Sequence, residues 1–130
     1  MKRQASPAPI ITALTTAPSA EAGKRLVRAL VERRVIACGT VLPGAVSTYW
    51  WQGAVVEEEE VVVVMKTTAA RWRELAGTLP GLHPYEVPEL IALRVVDGHP
   101  AYLEWVRAET GGGRGTRSRA GRRRRREPGS

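Results

Sequence analysis

The residues able to do chemistry are few and scattered along the chain. His83 stands in the run Leu82-His83-Pro84-Tyr85-Glu86-Val87-Pro88-Glu89, between a helix end and a strand, in a loop that two prolines stiffen. An imidazole held there at little conformational cost can ligate copper or zinc, or hydrogen-bond the loop backbone. Cys38, the sole cysteine, lies between Ala37 and Gly39 at the start of a strand. Its thiolate would serve copper, whereas its thiol would pack as a small hydrophobe. A second group, Tyr49, Trp51, Lys66, Tyr85, Glu86 and Glu89, combines one ammonium with carboxylates and aromatic rings. Such a set can line a pocket for a small polar ligand at subunit contacts, or form buried ion pairs and interface packing. The run Glu57 to Glu60 alternates across a strand, so it forms no single cation cage; Glu60 reads as paired internally and the others as a solvated hairpin face. His99 precedes Pro100 at a helix start and reads as a cap.

These residues need one scaffold. At 130 residues the chain suffices for one domain with a real core. A formal charge of +7 suggests a polyanionic partner, but its position decides what it means. Residues 1–110 hold 12 Lys and Arg against 12 Asp and Glu, whereas 111–130 hold eight arginines against Glu127 alone. One cysteine excludes an intrachain disulfide, and two histidines do not complete a self-contained structural zinc site. The apolar stretch near the N-terminus, Ile10 to Leu14, is too short for a signal-peptide core, and no apolar run reaches about 18 residues. A cytoplasmic protein is expected.

Behind a flexible leader, 1–9, Ile10 to Thr16 reads as a short buried strand closed by Pro18. Thr16 or Ser19 caps the next helix, whose Ala22, Leu26, Ala29 and Leu30 form an apolar stripe. Ile36 to Trp51 is extended, with Pro43-Gly44 marking a bulge or an edge. Gln52-Gly53 turns the chain, and Ala54 to Thr68 returns as a second long strand. The spacing predicts a helix over Ala69 to Leu79, ended by Pro80-Gly81, a strand over Val87 to Val96 and a last helix over Ala101 to Glu109. The domain therefore spans 10–110, and the remaining 111–130, without Val, Ile, Leu or an aromatic residue, reads as a disordered arginine-rich tail.

The order βαββαβα is the α+β, ferredoxin-like βαββαβ arrangement with a long β-hairpin and an extra C-terminal helix; its two principal helices lie on one sheet face. The run Val61-Val62-Val63-Val64-Met65 does not alternate apolar with polar residues, so the second face also needs cover. Another copy of the chain is the expected cover, giving a homo-oligomer.

Six segments carry a family resemblance: Thr15-Thr16-Ala17-Pro18, Ala37 to Gly44, Tyr49-Trp50-Trp51-Gln52-Gly53, Glu60 through Lys66-Thr67, Leu82 to Glu89, and Tyr102-Leu103-Glu104-Trp105. In order and without a large gap, they resemble the CutA family of divalent-cation-tolerance proteins from Ile10 to Glu109. The resemblance implies a ferredoxin-like subunit in a tight homotrimer with a likeness to the PII signalling trimers. It also implies a link to copper and other divalent metals, and, in animal members, an anchoring role for acetylcholinesterase. Members in which copper has been placed carry a cysteine before the Thr-Ala-Pro turn and a second histidine beside the first. Here those positions are Thr15 and Leu82, so a metal would lean on His83 with Glu86 or Glu89, and weakly.

The functional expectation is a non-enzymatic homotrimer involved in divalent-ion response, binding copper or another divalent cation weakly and no organic cofactor. The competing enzyme reading takes Lys66, His83 and Glu86 as acid, base and electrostatic partner in an intersubunit cleft. No nucleophile elbow, phosphate loop or metal-hydrolase spacing supports it. A third reading gives the arginines from Arg114 to Arg126 nucleic acid or an anionic surface as partner; the alternative there is a solubilising extension.

Overall fold

The structure, a computed structural model, describes residues 7–111. Most of the leader and nearly all of the arginine-rich tail expected from the sequence, Arg114 to Arg126 included, lie outside the described residues. The elements run β1 (Ile10–Ala17), α1 (Ala20–Glu32), β2 (Cys38–Trp51), β3 (Ala54–Thr68), a 3-10 turn over Ala69–Arg71, α2 (Trp72–Leu82), β4 (Ile91–Arg94) and α3 (Pro100–Glu109). All pairings are antiparallel, in the order β2-β3-β1-β4. The mixed α+β architecture read from the sequence is the one observed.

Side-chain alternation decides the two faces. Along β3, Val61, Val63 and Met65 point into the core, where they meet Ala13 and Ala17 of β1, Leu26 and Leu30 of α1, and Leu75 and Leu79 of α2. Val62, Val64 and Lys66 point the other way, between Thr16, Leu14 and Thr12 on β1 and Leu42, Thr40 and Cys38 on β2. The valine run is thus apolar on both faces.

That second face is not wholly bare. Ile10 and Ala37 pack with Val106, Tyr102, Leu103 and Trp105, so α3 covers the end where β2 begins and β3 finishes. Arg34 bonds Glu109, and Arg71 donates to the Thr110 carbonyl, tying the end of α3 to residues flanking α1 and α2. Beyond α3 the face is open: Leu42, Ile91 and Leu93 are each about half exposed (48%, 48% and 52%).

Local chemistry explains most boundaries. The Ser19 hydroxyl accepts from the Ala22 amide and caps α1. Gln52 and Gly53 both take positive φ (46° and 80°), as a type I′ hairpin turn requires. Between Leu42 and Ala45 β2 holds one residue more than β3 opposite, and Gly44 at φ 83° absorbs this bulge at Pro43-Gly44.

Two elements differ most from the sequence reading. The second helix begins at Trp72, after the 3-10 turn, and continues through Pro80 to Leu82. A proline in the last turn removes only one helical amide, and the His83 amide still reaches the Leu79 carbonyl, so the turn holds. The fourth strand is Ile91–Arg94, much shorter than Val87 to Val96. Extended towards Val87, the strand would bring the Glu89 amide to the Thr16 carbonyl of β1, which is already engaged, as described next.

Candidate functional site

The His83 loop is built on that engaged carbonyl. On the β4 side of β1, Ile10 accepts from the Val95 amide, so the carbonyls of Thr12, Leu14 and Thr16 face the same side. Beyond the end of β4, the Thr16 carbonyl lies 2.7 Å from His83 Nε2. The Tyr85 amide donates to His83 Nδ1 at 3.0 Å. This pair fixes the tautomer: Nδ1 accepts, so the proton is on Nε2 and is donated to Thr16. His83 is 8% exposed and both its ring nitrogens are engaged.

The same loop turns Tyr85 toward β3. Its ring lies 4.9 Å from the His83 ring, and its hydroxyl donates to Glu60 Oε2 at 2.7 Å. Glu60 sits just past the end of β1, where β3 has only β2 beside it and the loop takes the vacant flank. Its side of the strand also carries Glu58, and opposite these lie Ala45 and Ser47, followed by Tyr49 and Trp51. Burial pushes the Tyr85 phenol well above its ordinary value, reinforced by the hydrogen bond to Glu60 and by the carboxylate charges. Tyr49 is raised too, by desolvation first and then by a hydrogen bond to Glu58 and the charges of Glu58 and Glu60.

The residues singled out in the sequence therefore divide. Tyr49 and Tyr85 share one cluster, organised by Glu60 and Glu58. Glu60 is paired internally, yet its organising role was missed, because its partner is 25 residues away. Trp51 lies along the same hairpin face, 57% exposed. Lys66 is six residues along β3 from Glu60, about 20 Å, and pairs in register with Thr12 and Cys38 instead. Glu86 and Glu89 are exposed and make no ion pair among the described residues. Cys38 Sγ is 3.4 Å from the Tyr102 hydroxyl at the α3 end, away from His83 at the far end of β1. His99 caps α3, its Nδ1 accepting from the Ala101 amide at 3.2 Å.

A transition-metal site needs three or four convergent donors. Among the described residues no group of three His, Cys, Asp or Glu side chains is placed to hold an ion, and His83 has no ring nitrogen free. One chain alone does not fit a resident copper ion. Nor does one chain bring Lys66 to His83 as an acid–base pair. A cleft of about 470 Å³ between α1 and Leu82–Pro84 is floored by Ala22, Leu26 and Ala29; its polar lining is Ser19, already used as a cap, and Arg25.

Comparison with known proteins agrees with this architecture. A family model described as CutA1 divalent ion tolerance protein matches residues 11–109. A divalent-cation tolerance protein CutA of Thermus thermophilus is 44% identical over 98 residues, 75% of this chain and 95% of that protein. Protein CutA 1, chloroplastic, of Oryza sativa is 36% identical over 110 residues, covering 85% of this chain but 62% of that longer protein. The crystal structure of CutA1 from Oryza sativa superposes with a TM-score of 0.78 at 36% identity, over 80% of this chain and 95% of that one. The structure of the divalent cation tolerance protein from Thermus thermophilus gives 0.76 at 42% identity, over 78% and 99%. With the match extending over both sheet and helices, from β1 to α3, the chain belongs to the CutA1 divalent ion tolerance protein family.

Proposed function

We propose that this chain acts in tolerance of divalent metal ions as a non-enzymatic homotrimer. The half-exposed apolar sheet face supports this reading. Leu42, Ile91 and Leu93 line it, the hairpin carrying Trp50 and Trp51 projects beyond it, and an apolar patch of that kind is normally covered by another protein surface. The metal role follows the names of the relatives, which call them divalent-cation tolerance proteins. Copper or another divalent cation is held weakly, since His83 gives both nitrogens to the backbone and no donor cluster forms among the described residues of one chain. The cytoplasm is the proposed compartment, although relatives include one named chloroplastic and one titled periplasmic.

Light scattering and calorimetry test the two parts separately. The expected solution mass is three times that of the 14.2 kDa chain. Titration with Cu²⁺ is expected to give weak heats that do not saturate at one ion per chain, in wild type and in His83→Ala alike. A monomeric mass would overturn the oligomer. A tight one-ion site abolished in His83→Ala would overturn weak binding.

A further inference from the structure

Charges on the open side of β3 find no opposite charge among the described residues of one chain: Glu58 and Glu60 towards one end and Lys66 towards the other. Glu60 is 8% exposed, and its carboxylate meets the Tyr85 hydroxyl but no Lys, Arg or His among the described residues. Lys66 is half-buried, and its ammonium meets no carboxylate among them. Both sit on β3 and point to the same side, with Val62 and Val64 between them. A buried carboxylate without a cation is costly, and a half-buried ammonium without an anion is costly in the same way. The face is thus self-complementary: apolar at the centre, with an unmatched negative group at one end and an unmatched positive group at the other.

We infer that Glu60 of one copy receives Lys66 of a second copy, so that the Glu60–Tyr85–Tyr49 cluster is completed only in the assembled protein. A one-way contact of one copy's Glu60 end with the next copy's Lys66 end is head to tail and generates a ring where the rotation closes, as a homotrimer requires, whereas a reciprocal contact would stop at a two-fold dimer. Completion also reunites the set that the sequence grouped and the single chain separates, an ammonium beside Tyr49, Tyr85 and carboxylates. The ammonium that enters is then a fixed part of the interface. It neutralises Glu60, leaving Glu58 and the two phenols at the site.

The inference rests on the homotrimer reading, and the experiment separates the two. Glu60→Gln keeps an acceptor for Tyr85, and Lys66→Met keeps the stem of the side chain, so both variants leave the fold of the chain supported. Dissociation of the full-length assembly on dilution is followed by light scattering for wild type, each single variant and the double variant. Each single variant is expected to weaken assembly by roughly thirtyfold or more, as when one partner of a buried pair is removed. The double variant is expected to be no weaker than the worse single. Multiplying effects in the double variant, or unaltered assembly in Lys66→Met, would refute the pairing while leaving the trimer intact. A wild type that is monomeric throughout would remove the trimer, and the pairing with it.

Discussion

Tyr85 joins more of the site than any other residue: its amide fixes the His83 tautomer, its ring lies against the imidazole and its hydroxyl satisfies Glu60. Because the folded protein holds this phenol protonated above the ordinary value of 10, stability must depend on alkaline pH. Below pH 10 both folded and unfolded chains keep the proton, and the contribution is fully present. As the pH rises past 10, the unfolded chain ionises Tyr85 while the folded chain does not, so unfolding releases a proton and stability falls. Denaturant melts between neutral pH and about pH 11.5 are therefore expected to show a loss that Tyr85→Phe reduces. At neutral pH the same variant is expected to cost about 1–2 kcal/mol, since a hydrogen bond to a carboxylate is removed from a half-buried site. Identical alkaline profiles for the two proteins would dissociate the phenol from this effect.

At the scale of elements, α1 crosses β2 at a close approach. A Cβ built on Gly39 would lie 2.8 Å from both methyls of Val27, so glycine is required there by the approach of a helix and not by its own backbone angles. Gly39→Ala is expected to destabilise the domain by about 1–3 kcal/mol, and Val27→Ala in the same chain to recover part of the loss. Urea melts of the four proteins decide this, and equal costs in the two Val27 backgrounds would count against the contact. The sequence makes β1, β3, α1 and α3 legible because caps, hairpin turn and apolar spacing are local signals. It misplaces the end of α2 because Pro80 stops a helix only when there is a full turn left to disrupt. It lengthens β4 because nothing local reveals that His83 occupies the Thr16 carbonyl from 67 residues away. The site is legible to the same degree. Residue types named Tyr49, Tyr85 and His83, but the β2 bulge at Pro43-Gly44 is what brings Tyr49 onto the side of Glu60, and the His83 loop is what brings Tyr85 to it.

At the scale of the whole molecule, charge and fold are separable. The sequence carries a net +7, yet residues 1–110 balance 12 cations against 12 anions, so the excess belongs to the eight arginines beyond Thr110. Electrostatic attraction to a polyanion grows with the number of phosphates neutralised and falls steeply with salt, whatever the fold that carries the charge. A trimer would present three such segments at once, and linking them raises the effective concentration of each after the first has bound. Full-length protein is therefore expected to be retained on immobilised duplex DNA at low salt and released by moderate salt. Protein ending at Gly111 is expected to elute without retention, while its thermal melt and its mass relative to one chain stay as in wild type. If the shortened protein is still retained, the binding belongs to a patch on the folded domain, and lysines and arginines of α1 such as Lys24, Arg25 and Arg28 become the residues to substitute. If its assembly or melting changes as well, the segment contributes to the oligomer rather than acting as a separable polyanion-binding extension.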